Sequence, residues 1–276
     1  MHPRPVSSLL TASPLVSASV SSSFKGCSHF FYMQTPPAGM EGADLRRVCQ
    51  RYSDKLYDGS RRLPLYSAYI FRKMVYREMI LGIGLNVLND ENAMFISFSL
   101  QLVSDDEGGN MRDTQAVLED YADVVQYEQG QLNPDEHQAD PLDKASTYSL
   151  TNVVPQSREF NLGPWAEHQD LVRKRLNKVF VVTRVTTSRH TIRRNNLDRV
   201  AVSEYMWSAY CCVEFDQNAP CIVRYKFPVF AAYGLNDRVN NYMVEVPLKN
   251  LEKFLKGRMD VDKNFQIFYS DCVPEN

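Results

Sequence analysis

Stretches of apolar residues in this chain follow two periods. Residues 61–73 (RRLPLYSAYIFRK), 180–187 (FVVTRVTT), 207–215, 241–246 and 265–269 are rich in β-branched and aromatic residues and read as strands. In residues 148–154 (YSLTNVV), alternation puts Tyr148, Leu150 and Asn152 on one strand face, which sets a polar amide among apolar neighbours. Residues 164–179 follow the helical period instead. There Trp165, Val172, Leu176 and Val179 form an apolar stripe, Pro164 suits the first turn, and the acids Glu167 and Asp170 precede the bases Arg173, Lys174, Arg175 and Lys178, as the helix dipole favours. A second helix is expected over 247–256, stopped at Gly257. Residues 74–102 fit neither period, and SDDEGGN (104–110) reads as a loop. Strands and helices mixed without regular βαβ alternation point to an α+β fold: a mixed sheet with flanking helices.

The 276 residues are 44% hydrophobic, which suffices for one large domain, expected over residues 25–276. Residues 1–24 read as a leader, either a Ser-rich disordered segment or a degenerate signal peptide, because Pro14 and several serines interrupt the apolar stretch a secretion signal needs. No stretch approaches the ~18 uninterrupted apolar residues of a membrane span. A net charge of −2 excludes a global basic field, so any polyanion must be met by a local patch. One stands out: residues 173–199 hold nine Lys or Arg against the single acid Asp198. Arg173, Lys174, Arg189, Arg193 and Arg194 are its candidate contacts to DNA or RNA, and a solvated helix face with a flexible turn is the plainer reading. The acidic loop Asp135, Glu136, Asp140 and Asp143 argues against phosphate nearby.

Six cysteines show no spacing of the zinc-binding kind. They fit either buried thiols or a disulfide framework, with connectivity left open.

Three segments carry the chemistry: YEQGQLNP (127–134), SLTNVVPQ (149–156) and FNLGPW (160–165). With LPLYSAY (63–69), VFVVTRV (179–185), MWSAYCC (206–212) and FYSDC (268–272) in order, the chain resembles the DNA/RNA non-specific endonucleases, and within them the endonuclease domain-containing 1 group. The resemblance implies a ββα-metal fold, a magnesium ion, a nucleic-acid substrate and a secreted or lumenal address. It places the metal-ligand asparagine at Asn161 and a supporting asparagine at Asn152. The family's Asp-Arg-Gly-His motif falls on Glu128, Gln129, Gly130 and Gln131, so the general-base position holds a carboxamide, which has no usable basicity near neutral pH. A glutamate that holds metal-bound water falls on Gln169, while the phosphate arginine has only positional candidates, Arg72 and Arg77. Gln131 and Asn161 are expected to face a common cleft. His137 and His168 read as solvated or locally hydrogen-bonded side chains, not substitute bases. Two functions remain open: a metal-dependent endonuclease weakened at Gln131, and a pseudoenzyme that keeps the nuclease fold as a binding or regulatory module.

Overall fold

The computed structural model describes residues 18–21, 26–40, 42, 44–73, 114–122, 124–215, 228–259 and 261–273. Residues 74–102, the 104–110 loop, Arg77 and Cys221 lie outside them. Among the described residues eight strands form one antiparallel sheet: β1 (Ala18–Ser21), β2 (Leu45–Gln50), β3 (Ser53–Asp58), β4 (Leu63–Arg72), β7 (Leu176–Arg194), β8 (Leu197–Phe215), β9 (Val229–Leu235) and β10 (Met243–Val246), in that spatial order. Between β4 and β7 the chain adds a separate hairpin, β5 (Tyr127–Gln131) and β6 (Val153–Ser157). The α+β class is as the sequence suggests, and every strand pairing among the described residues is antiparallel. Ala18–Ser21 pairs with β2 as an edge strand.

β7 and β8 are 19 residues each, far longer than their apolar centres suggest, and they turn at Asn195 and Asn196. Both asparagines have positive φ (51° and 63°), as a two-residue hairpin turn demands, so the basic segment around RHTIRRNN belongs to a hairpin, not a flexible turn.

The expected 164–179 helix divides differently. A short turn α2 (Arg158–Phe160) and a π turn (Asn161–Trp165) lead into α3 (Ala166–Arg175), and Leu176 already belongs to β7. The β-branched run after Leu176 prefers the sheet. Leu176 and Val179 matched the helical stripe because they enter the same cluster as Val172, together with Tyr69, Phe71, Val181 and Tyr210. Two expected strands are also revised. Leu150–Asn152 forms a 3-10 turn, capped where Thr151 N–H donates to Ser149 Oγ (3.3 Å), and the strand starts at Val153. Residues 265–269 contribute only an isolated bridge, Gln266 to Ala38, before a 3-10 turn at Tyr269–Cys272. The C-terminal helix α4 (Leu248–Lys256) forms as expected, after α1 (Pro141–Ser146) in the loop that follows β5.

Disulfides Cys27–Cys49 and Cys211–Cys272 clamp the segment before β2 and the C-terminal segment onto the sheet. Four of the six cysteines are therefore not thiols, and Cys212 is a buried thiol. No helix among the described residues is long and apolar enough to cross a membrane.

Candidate nuclease site

The β5–β6 hairpin and the α2–α3 segment pack as a ββα unit on one face of the large sheet. Ser203 Oγ on β8 donates to the Pro155 carbonyl (2.6 Å), and His168 Nε2 on α3 meets the Tyr210 hydroxyl of β8 (2.7 Å). Gly130 is required inside the hairpin. The fully buried Gln156 side chain crosses its Cα, and a Cβ there would lie 2.0 Å from Gln156 Cδ.

Gln131 ends β5, half-buried, with both ends of its amide engaged. Its Nε2 donates to Thr147 Oγ1 (3.1 Å), and the Asp135 N–H donates to its Oε1 (3.3 Å). Asn152 organises this loop from beneath. It is fully buried, its Nδ2 donates to the carbonyls of Asn133 and Thr147 (both 2.8 Å), and its Oδ1 accepts from Asn133 N (3.1 Å). Its place in a turn rather than a strand lets one amide satisfy three backbone groups.

Asn161 lies at the start of the π turn, where its Nδ2 donates to Glu128 Oε2 (3.1 Å). The other Glu128 oxygen is 3.6 Å from Arg158 Nε. The contact fixes the amide: with its nitrogen spent on Glu128, Asn161 Oδ1 is left as the acceptor. A neutral hard oxygen of this kind suits magnesium, which accepts few protein ligands and keeps its waters, so the side chains present fit the ion. Described residues hold no cluster of three His, Cys, Asp or Glu suited to a metal. Arg158 escaped the sequence reading, although its place three residues before Asn161 on one helical path is a usable signal.

The structure thus brings Asn161, Glu128 and Arg158 together and ties Gln131 to Thr147. Among the described residues no hydrogen bond joins Gln131 to Asn161. Gln169 lies on α3, half-buried, and its carbonyl accepts from His137 Nε2 (3.0 Å). Neither histidine is solvated. His137 is 2% exposed, with Nδ1 2.9 Å from the Tyr69 hydroxyl, and burial lowers its pKa to about 4. A carbonyl at Nε2 requires a proton there, so Nδ1 accepts from Tyr69 and the ring is a neutral strut between β4 and α3. His168 is buried on Tyr210.

The five candidate phosphate contacts do not form one patch. Arg173 and Lys174 end α3, both paired with Asp170 and Arg173 also 3.8 Å from Glu136. Arg189, Arg193 and Arg194 lie near the other end of β7, roughly 50 Å of strand path away. Arg193 pairs with Asp198 (3.2 Å), Arg194 with the buried Asp120 (2.9 Å), and Arg189 is exposed. Two further members are interior: Arg199 also grips Asp120, and Arg184 is buried in the sheet. The acidic loop is likewise matched by cations, since Arg51 pairs with Asp140 (3.7 Å) and Asp143 (3.0 Å). Arg72 is exposed at the end of β4.

The sequence profile of the DNA/RNA non-specific endonucleases matches residues 103–266, which include every candidate site residue except Arg72 and Arg77. Endonuclease domain-containing 1 protein of Mus musculus is 28% identical over 207 residues, and that of Homo sapiens 26% identical over 205. Each match covers 68% of this chain and 39% of the relative, so the chain corresponds to well under half the length of these proteins. The crystal structure of the EndoG/EndoGI complex superposes with a TM-score of 0.50 at 17% identity, covering 78% of this chain and 85% of the matched one. That likeness is one of fold.

Proposed function

Because the chain belongs to the DNA/RNA non-specific endonuclease family, we propose that it is a nuclease-fold protein that engages DNA or RNA and magnesium and hydrolyses phosphodiesters far more slowly than relatives with a histidine base. The observation that carries this reading is the Gln131 amide, bound at both ends by Thr147 and Asp135 and without a basic atom. General-base assistance typically contributes about 10²–10⁴-fold, and a carboxamide supplies none of it. Asn161 Oδ1, oriented by Glu128, would hold the magnesium, whose chemistry is to neutralise charge on the phosphate and the leaving oxygen. Arg158, beside Glu128 and Asn161, and Arg173 and Lys174, roughly 18 Å along the helical path, are basic residues within reach of a strand bound there. The two hydrogen bonds that hold the Gln131 amide also favour a second reading, a pseudoenzyme in which position 131 has become structural and the fold serves binding.

Incubation of the purified protein with supercoiled plasmid and with RNA, in magnesium and in chelator, tests the proposal. Expected are binding of nucleic acid and faint magnesium-dependent cleavage or none. Robust cleavage that survives chelation and Asn161→Ala would overturn it.

We also infer an oxidising, secreted or lumenal compartment from the two disulfides. Alkylation without reductant of protein from its native source, followed by mass measurement, should label Cys212 and Cys221 at most. Labelling of all six cysteines would refute the inference.

A further inference from the structure

Arg184 sits on β7, a central strand of the large sheet, with 5% of its surface exposed. Its Nε and Nη1 donors are buried without an acceptor. Cross-strand register sets Tyr66 on one side of it and Trp207 on the other, so the three side chains form a row on one sheet face. The Trp207 Nε1–H, in a fully buried ring, also lacks an acceptor. This face is opposite the ββα unit, because Val181, which packs with α3, is three positions from Arg184 on a strand whose side chains alternate.

The charge arithmetic of this row is one-sided. The carboxylate on the same side, Asp54, accepts from the Tyr66 hydroxyl (3.5 Å), lies near Arg47 and Lys55, and has its pKa raised to about 7 by burial. Arg61 adds positive potential near Arg184 rather than relieving it. A buried cation with donors and no acceptor is among the most destabilising arrangements a protein can hold, and native interiors pair such groups.

We propose that Arg184 and Trp207 form an interior binding site for a small monovalent inorganic anion of the chloride type. Three features select that class. The groups left without a partner are donors only, so the ligand is an acceptor. One guanidinium charge calls for one negative charge. Seclusion of both side chains admits a monatomic ion during breathing or folding and excludes a phosphodiester or a peptide carboxylate. The anion is a structural counter-ion, and the site does not depend on nuclease activity.

Two measurements on the full chain test this. Thermal unfolding at fixed ionic strength, with sodium chloride exchanged for sodium gluconate, should give a midpoint that rises with chloride. Beyond saturation each tenfold increase should lower the unfolding equilibrium constant by up to about tenfold. Arg184→Met should remove the chloride dependence and Trp207→Phe should weaken it. In crystals of the unmodified protein soaked in bromide, an anomalous peak should lie within hydrogen-bond distance of the Arg184 guanidinium. Unfolding indifferent to the choice of anion, or a bromide-soaked crystal with no peak there, would overturn the proposal, and the crystal readout does not require any variant to fold.

Discussion

Combining Gln131→His with Gln169→Glu is expected to raise magnesium-dependent plasmid cleavage by about 10²–10⁴-fold, the usual contribution of a general base. The surroundings of position 131 are suited to the change. Thr147 Oγ1 donates to the Lys144 carbonyl (2.7 Å) and accepts from Gln131 Nε2, so an imidazole Nε2–H, which reaches as far as the glutamine amide, can take over that second bond. Nδ1 is then the unprotonated nitrogen, available to take a proton from water. The half-buried position tolerates the ring without a new cavity or buried charge. The Gln169→Glu change places a carboxylate one turn into α3, at the position that the resemblance assigns to holding metal-bound water. Adding Asn161→Ala to the double variant should abolish the gain if Asn161 holds the magnesium as proposed. Cleavage rates would be read at saturating magnesium, with nucleic-acid binding measured alongside. No gain in a double variant that still binds nucleic acid would sink the idea that a missing base is what limits hydrolysis.

The site was legible in sequence where chemistry is local and obscure where partners come from afar. FNLGPW and YEQGQLNP singled out Asn161 and Gln131 as candidates, and the glycine between Gln129 and Gln131 proves to be the residue that Gln156 overlies. Thr147, the partner of Gln131, lies 16 positions away in a turn with no recognisable motif. The helix over 164–179 ran too far because a buried residue satisfies either period when helix and strand enter one cluster, as Val172 and Val179 do. Asn152 was assigned to a strand face because alternation ignores side-chain bonds to the backbone, and those bonds hold it in a turn. The basic segment misled for a similar reason. A run of one sign along the chain says little once a 19-residue strand separates its members and Asp120, more than fifty positions earlier, neutralises two of them.

Acid should weaken the fold through His137. Its folded pKa of about 4 lies below the ordinary 6.5, chiefly because burial disfavours the imidazolium. Between these values the unfolded chain binds a proton that the folded chain does not, so stability from this group is complete above pH about 6.5 and is lost as pH falls towards 4. At about 1.4 kcal/mol per pKa unit, the loss across that window is about 3 kcal/mol. His137→Asn isolates the effect. Asparagine can keep an acceptor near the Tyr69 hydroxyl but cannot reach the Gln169 carbonyl, so at pH 7 the variant should be less stable by about 1 kcal/mol, the typical net worth of one hydrogen bond. Lacking the titration, it should lose less on acidification, and the two stabilities should cross between pH 5 and 6 by this reckoning, with the pH window good to about a unit. Other buried acids with raised pKa values, Asp54 and Glu252 among them, shift both proteins alike and cancel in the difference. Denaturant unfolding at pH 7 and at pH 4.5 measures both gaps. A gap that stays constant across that range would show that His137 takes up its proton in the fold at the same pH as in the unfolded chain, and would remove it as the neutral strut between Tyr69 and Gln169.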